Sequence, residues 1–377
     1  MGHRPQLQYH RWEGIVAADV TLVGMRQRAA ALATHVVQRG WTCLVAFDTR
    51  FMAGQFALDA LRTLEAAGAS CLFCPTPMPI AAIERALDQR RADCALIVTA
   101  GSRPFWYSGL LALTPPIDQT LFHGDLPLAD QVRPFPPTSD TTESPTIDLR
   151  SLYLDNLRTS VDIELIRRST QTIFVDPMSG TASGLIPAAL GDASQTKAIE
   201  INRESDPLFA RQTPHPLEAG LARLRKLVRE SDSHFGVACS ADGRAIGVVD
   251  TAGELLSPYD LALVIGQHLS RHYRQRGLVI LPPNPPGGHE IVGGARAWED
   301  AYGLKLEQHE ATGVRIAELS ERDRTSLVVG ITATGEVTLG RMLGVPDALL
   351  AALVLLEAVT RSGMKLRPLL IQLRGRT

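Results

Sequence analysis

Cys94-Ala-Leu-Ile-Val-Thr99 is an unbroken apolar run that stops in a loop of small and polar residues, Ala100-Gly101-Ser102-Arg103-Pro104. A run of this length, closed by Gly and Pro, reads as a strand buried on both faces. Working outward, residues 80–90 read as a helix and 70–74 as a strand ended by Pro75-Thr76-Pro77. Residues 51–67 form a helical stretch closed by Gly68, and 41–47 a second buried strand. Residues 20–39 carry Met25, Ala29, Leu32 and Val36 at helical spacing and stop at Gly40, a residue suited to a helix C-terminus. Strands and helices that alternate in this order form βαβ units on a mostly parallel sheet.

Downstream, residues 113–151 are rich in Pro, Thr and Asp, as in Pro134-Phe-Pro-Pro-Thr138, and read as a hairpin or loop followed by a linker. A second α/β unit then begins, with strands at 172–175, 197–201, 236–239 and 246–249 and helices at 216–229 and 259–274. A third follows, with strands at 278–281, 305–308 and 326–329 and helices at 291–302 and 348–361. The reading is an α/β chain of three consecutive domains, residues 1–150, 151–275 and 276–377, each a mixed, mostly parallel sheet between helices.

Bulk properties agree. A chain of 377 residues is too long for one hydrophobic core. Its 45 % hydrophobic and 21 % charged residues are those of a globular protein rather than a disordered one. A net charge of -2 gives no basic field for nucleic acid and no polybasic stretch for a membrane surface. The apolar stretch 348–359 is broken by Glu357 and too short to span a bilayer, and the N-terminus lacks a signal-peptide core. Five scattered cysteines read as buried thiols of a reducing compartment, so a cytoplasmic location is expected.

Local motifs are weak. Cys71 and Cys74 lie in a strand, where both side chains do not comfortably face one metal, and read as structural thiols. His268 and His272 sit one helical turn apart but beside Arg271 and Arg274, and read as a surface pair. Gly287-Gly-His-Glu290 follows a strand and opens a helix, so its amides could cradle phosphate. The prolines around it favour a plain turn.

The ordered set of segments says more. Trp12-Glu-Gly-Ile15, Phe47-Asp-Thr-Arg50, Pro75-Thr-Pro77, Thr99 to Pro104 and Tyr107-Ser-Gly109 come first. Val175-Asp-Pro-Met-Ser-Gly180, Asp206-Pro-Leu-Phe209, 236–250 with Leu256-Ser-Pro258, Thr312-Gly-Val-Arg315, 329–337 and the helix near 349–361 follow. In order and spacing this resembles the first three domains of the α-D-phosphohexomutases, the phosphoglucomutase and phosphomannomutase family. The resemblance implies phosphoryl transfer within a hexose phosphate, by a phosphoserine, a Mg²⁺ held by three aspartates, a sugar-gripping loop and a fourth, phosphate-binding domain.

Against those loops the chain departs. The nucleophile loop, T-A-S-H-N-P in the family, has Gly101 at the serine position, followed by Ser102 and Arg103. The metal loop, D-G-D-x-D-R, reads Ser240-Ala-Asp-Gly-Arg-Ala245, so Asp242 is the surviving carboxylate and Arg244 stands at the third ligand position. A cation there opposes Mg²⁺ by several kcal/mol at ~4 Å and an effective dielectric of about 20. Arg244 either replaces the metal's charge or, as the reading we favour, pairs with Asp242 at the surface. The sugar loop, G-E-x-S-G, has Thr332, Thr334 and Glu336, with Arg315 a further substrate-binding candidate. Glu13 reverses the charge of a family arginine, and no R-x-S-G-T-E-P stretch of a fourth domain occurs.

The scaffold residues Asp48-Thr-Arg50, Asp176-Pro177, Asp206-Pro207, Asp250 and Ser257-Pro258 remain, as turns, caps and packing. Loss confined to the chemical loops implies a catalytically inactive descendant with a binding, scaffolding or regulatory role, needing no cofactor. The alternative is a phosphoglucomutase or phosphomannomutase of carbohydrate metabolism, with Mg²⁺. A cleft without its fourth domain also implies self-association or a protein partner over Phe105, Trp106 and Tyr107, with a sugar phosphate a further candidate ligand.

Overall fold

A computed structural model describes residues 7–118, 121–123, 126–127, 144–209, 214–283, 295–342 and 344–374. The segment 134–138, the motif 287–290 and the expected helix start at 291–294 lie outside them.

The first sheet is built from β1 (Gln8–Ile15), α1 (Leu22–Arg39), β2 (Thr42–Phe47), α2 (Ala53–Ala66), β3 (Ser70–Phe73), α3 (Ile80–Asp88), β4 (Cys94–Val98) and β5 (Tyr107–Thr114). Its strand order is β1-β5-β4-β2-β3. Strands β3, β2 and β4 run parallel, and β5 is antiparallel to both β4 and β1. Both β2 and β4 are buried along almost their whole length, as unbroken apolar runs require. Strands β1 and β5 escape the sequence pattern. β5, Tyr-Ser-Gly-Leu-Leu-Ala-Leu-Thr, carries few β-branched residues and no clear alternation, and β1 is mostly polar because it is the edge.

The chain continues with α4 (Leu149–Ser160), α5 (Ile163–Arg168), β6 (Thr172–Asp176), α6 (Leu185–Leu190), β7 (Lys197–Glu200), α7 (Ala222–Arg229), β8 (Phe235–Cys239) and β9 (Ile246–Val249). Then come α8 (Pro258–Tyr273), β10 (Gly277–Leu281), α9 (Ala295–Tyr302), β11 (Leu304–Gln308), α10 (Thr312–Asp323), β12 (Leu327–Ile331), β13 (Val337–Thr338), α11 (Ala348–Ser362) and α12 (Leu366–Arg374). The second and third sheets are ordered β7-β6-β8-β9 and β11-β10-β12-β13. In each, three parallel strands end in one antiparallel edge. The first sheet contains the same pattern, β3-β2-β4-β5, with β1 added. The protein is therefore an α/β structure of three mixed, mostly parallel sheets.

By contacts the chain divides into two compact units. One holds the first sheet together with residues 179–181 and 205–209. The other holds the second and third sheets. In the second unit the apolar stretch around Glu357 is α11, buried on every side from Ala348 to Val359. Asp347 caps it by accepting the Leu350 N–H, and Gly363 ends it at φ 65°. Among the described residues no helix is long and apolar enough to cross a membrane.

The buried face of α11 holds a surprise. Glu357 has no exposed side-chain surface, and its carboxylate meets Tyr273 Oη at 2.7 Å, Arg361 Nε at 2.9 Å and His268 Nε2 at 3.4 Å. Burial alone would raise its pKa; these partners hold it down to about 2. The expected surface pair is thus half wrong. His272 is exposed, but His268 turns inward onto Glu357 and is 4 % exposed. Sequence distance hid the acidic partner, which a different helix supplies.

Candidate functional site

In all three sheets the last parallel strand turns back into its antiparallel neighbour, and that turn carries the polar residues. The turns are residues 99–106 between β4 and β5, 240–245 between β8 and β9, and 332–336 between β12 and β13.

In the first unit, Asp48 and Arg50 follow β2 and organise the 99–106 turn. Asp48 Oδ2 accepts the Thr99 hydroxyl at 2.7 Å, and Thr99 Oγ1 accepts the Gly101 N–H at 3.0 Å. Arg50 is wholly buried and salt-bridged to Asp48 at 3.2 Å. Its Nη1 donates to the carbonyls of Pro104 and Tyr107, and its Nη2 to those of Gly101 and Arg103. One guanidinium thus satisfies four loop carbonyls, which explains how a buried charge is tolerated. The sequence reading of Asp48-Thr-Arg50 as turn and packing residues understated Arg50.

Gly101 adopts φ 55° and offers no oxygen to a phosphoryl group. Ser102 is exposed, and among the described residues its hydroxyl makes no hydrogen bond. Arg103 donates to Glu13 at 2.7 Å and lies over the Tyr107 ring. The charge reversal at position 13 therefore has its partner in the loop. Trp106 is 47 % exposed and meets Phe105 edge to face. Tyr107 is half-buried and begins β5.

In the second unit the other two turns are joined. Ala245 and Glu336 form an antiparallel bridge, and Ile246 N–H donates to Gly335 O at 2.9 Å. Gly335 has φ 82°, and a Cβ there would lie 2.6 Å from Ile246 O, so only glycine permits this approach. The bridge sets Glu336 beside Arg244, whose Nε donates to Glu336 Oε1 at 3.0 Å. The sequence reading paired Arg244 with Asp242; the Arg244 backbone N–H does reach Asp242, and its guanidinium reaches Glu336 of the neighbouring turn. Asp242 Oδ1 accepts the Ser240 hydroxyl at 2.6 Å and the Arg244 backbone N–H at 3.2 Å, turned in toward its own loop. Thr332 and Thr334 share a hydrogen bond at 2.9 Å, and the Thr332 hydroxyl accepts the Glu336 N–H.

Arg315 lies in the first turn of α10 and is paired with Glu307 at 2.7 Å and Glu318 at 3.5 Å. The same first turn of α10 faces the sugar loop through Gly313, whose virtual Cβ would sit 3.9 Å from Thr332 Cγ2. A buried histidine that the sequence did not single out stands behind this cluster. His215 lies between two prolines in a segment without periodicity, so nothing in the sequence marked it. Burial pushes its imidazole pKa down, against Asp242, Glu336 and a hydrogen bond to the Thr334 backbone. Its Nδ1 has no hydrogen-bond partner among the described residues.

These side chains do not fit Mg²⁺. The ion asks for several oxygen ligands in near-octahedral array. The loop offers Asp242, a neutral hydroxyl already donated to it, and a guanidinium. Among the described residues no three His, Cys, Asp or Glu side chains gather as a metal site. Cys71 and Cys74 are free and buried, and burial lifts the Cys71 thiol to about 12.

Two sequence profiles match the chain in consecutive order. The phosphoglucomutase/phosphomannomutase alpha/beta/alpha domain I matches residues 10–116, and domain II matches residues 151–253. A phosphoglucomutase/phosphomannomutase of Thermococcus kodakarensis is 25 % identical over 56 % of this chain and 47 % of its own, so the match spans about half that relative's length. A phosphoglucosamine mutase of Serratia proteamaculans is 24 % identical over 86 % of this chain and 71 % of its own. Among solved structures, a Thermus thermophilus protein assigned to the phosphomannomutases aligns with TM-score 0.79 at 21 % identity, covering 100 % of this chain and 84 % of that one. A Burkholderia thailandensis phosphoglucomutase/phosphomannomutase family protein aligns with TM-score 0.74 at 20 % identity, over 97 % and 79 %. These likenesses establish the fold, and the two profiles, covering more than half of the chain in the family's own domain order, make it a member of the α-D-phosphohexomutase family.

Proposed function

We propose that this chain is a hexose-phosphate-binding member of the phosphohexomutase family in which fixed charge has replaced phosphoryl-transfer chemistry. The Arg244–Glu336 ion pair carries the reading. It puts a permanent cation at a loop position where relatives of this fold hold a metal ligand, and balances it with a carboxylate from the neighbouring turn. Arg244 keeps 15 % and Glu336 31 % of their side-chain surface exposed. A phosphate dianion carries twice the charge of this partly exposed carboxylate and can take the guanidinium bidentately where Glu336 meets it through Nε, so a sugar phosphate competes with Glu336 for Arg244. The Thr332 and Thr334 hydroxyls lie in the same turn as Glu336 and offer hydrogen bonds to sugar oxygens.

A second reading keeps catalysis. The names of the relatives and the exposed hydroxyl of Ser102 favour a phosphoglucomutase or phosphomannomutase in which Ser102 is phosphorylated. A serine nucleophile needs a base to take its proton, and no described residue hydrogen-bonds this hydroxyl.

Calorimetric titration with glucose 1-phosphate and mannose 1-phosphate, with and without EDTA, tests the first reading. Saturable, EDTA-insensitive binding is expected. Arg244→Ala weakens it at least tenfold, and Glu336→Gln tightens it several-fold by removing the competing carboxylate. Binding that ignores both substitutions removes the proposal. Intact mass after incubation with glucose 1,6-bisphosphate and Mg²⁺ separates the readings: one phosphoryl group mapped to Ser102 establishes the mutase.

A further inference from the structure

The second unit holds a cavity of about 640 Å³ at the end of α8, lined by Arg271, Arg274, Arg276, Trp298, Tyr302 and Leu373 among others. This is the size of small-molecule sites, about 300–1,000 Å³. Among the described residues three arginines line it and no carboxylate does.

The arginines are held in different ways. Arg276 is anchored: Nη1 donates to Ser270 O at 3.0 Å, Ser270 Oγ at 2.9 Å and Gln275 O at 2.9 Å. Its stem crosses Gly303, where a Cβ would come within 2.4 Å of Arg276 Cδ. Arg271 lies 5.2 Å from the Tyr302 ring centroid, which leaves its N–H edge available. Among the described residues neither Arg271 nor Arg274 has a carboxylate partner. Arg274 is moreover the C-cap of α8 at φ 52°, a conformation that glycine ordinarily supplies and that costs a side chain about 1 kcal/mol. The helix dipole accounts for part of the preference for cations there, about 0.3–1 kcal/mol each. It does not account for Trp298. That indole is 2 % exposed, lines the cavity, and its Nε1–H meets no acceptor among the described residues. A buried donor left unpaired costs about 1–3 kcal/mol.

Uncompensated guanidinium groups, a waiting N–H donor and an apolar wall of Tyr302 and Leu373 share one missing complement, an anion that carries an organic group. We propose that this cavity binds a phosphate ester of nucleotide size, with Arg271 and Arg274 on the phosphate oxygens and the Trp298 N–H on an oxygen of the same molecule. The site is separate in sequence from the Arg244–Glu336 turn, and the proposal does not depend on the function assigned to it.

The test is calorimetric titration of the full chain with ADP, ribose 5-phosphate, inorganic phosphate and adenosine. Saturable binding of ADP is expected, at least tenfold tighter than ribose 5-phosphate, inorganic phosphate or adenosine. Arg274→Gly is the informative variant because it removes the charge while relieving the left-handed backbone. Its Tm should hold or rise while affinity falls at least tenfold. Trp298→Phe should weaken binding several-fold. No saturable binding at millimolar ligand, affinity that survives both Arg274→Gly and Arg271→Ala, or inorganic phosphate binding as tightly as ADP would each overturn the proposal.

Discussion

The turn between β4 and β5 is held from beneath, by the buried Arg50 guanidinium reaching four backbone carbonyls. The turn between β8 and β9 is held from the side, by Arg244 reaching a carboxylate of a neighbouring turn. The difference concerns what may change. A clamp on carbonyls is indifferent to side-chain identity, so the first turn could exchange a serine for Gly101 and keep its shape. A clamp between side chains couples positions: Arg244 without Glu336 loses the carboxylate that balances it. Glu13 and Arg103 show the same coupling within the first unit.

The largest effect should come from breaking the carbonyl clamp. Arg50→Ala removes the cation beside buried Asp48 and the donors to four backbone carbonyls, and should cost the first unit about 3–5 kcal/mol in urea unfolding. Arg50→Lys should recover less than half, because an ammonium has too few donors. A loss under about 1 kcal/mol would mean the turn is held by other means, and the contrast fails.

Glu357 shows a side-chain clamp under full burial. Its folded pKa, about 2, lies below the ordinary glutamate value of 4.5. Its contribution, on the order of 3 kcal/mol, is therefore present above pH 5 and lost as pH falls toward 2. Glu357→Gln should lower stability by about 2–4 kcal/mol at pH 7 and by much less at pH 3. Parallel stability curves for the two proteins across that range would refute the assignment.

Gly101→Ser tests whether the first turn is indifferent to its side chains. The φ of 55° should make the variant about 1–2 kcal/mol less stable. We expect no mutase activity, since among the described residues of the second unit no three carboxylate, His or Cys side chains gather to hold a metal. A phosphorylated, active variant would show that the turn alone had been limiting. Trp106→Ala should have the smallest effect on stability, within about 0.5 kcal/mol, because the ring is half exposed. We propose that the Phe105–Trp106 edge meets a second copy or a protein partner, so size-exclusion with light scattering should show weaker association for the variant. A wild-type chain that is monomeric and indifferent to Trp106 would remove that proposal.

Much of this was readable from the residues. Central strands such as β4 announce themselves because burial on both faces demands unbroken apolar runs. Edge strand β1 and the mixed β5 do not, and α10 was hidden because its buried side is narrow, holding Thr312 and Ile316. Departures in the turns were legible because a missing serine or carboxylate is a local fact. Partnerships were not. Arg244 with Glu336, and His268 with Glu357, join residues about ninety apart in sequence through contacts that the fold alone creates.

The shared strand order of the three sheets has a kinetic consequence. Each chemical turn closes an antiparallel pair, so the ring it completes is local, while the slow steps of forming such sheets are the long parallel crossovers. Replacing residues in 99–106, 240–245 or 332–336 alters loops that close late or cheaply. The refolding rate should therefore be nearly insensitive to substitution there, and the penalty of a damaged turn should surface as faster unfolding.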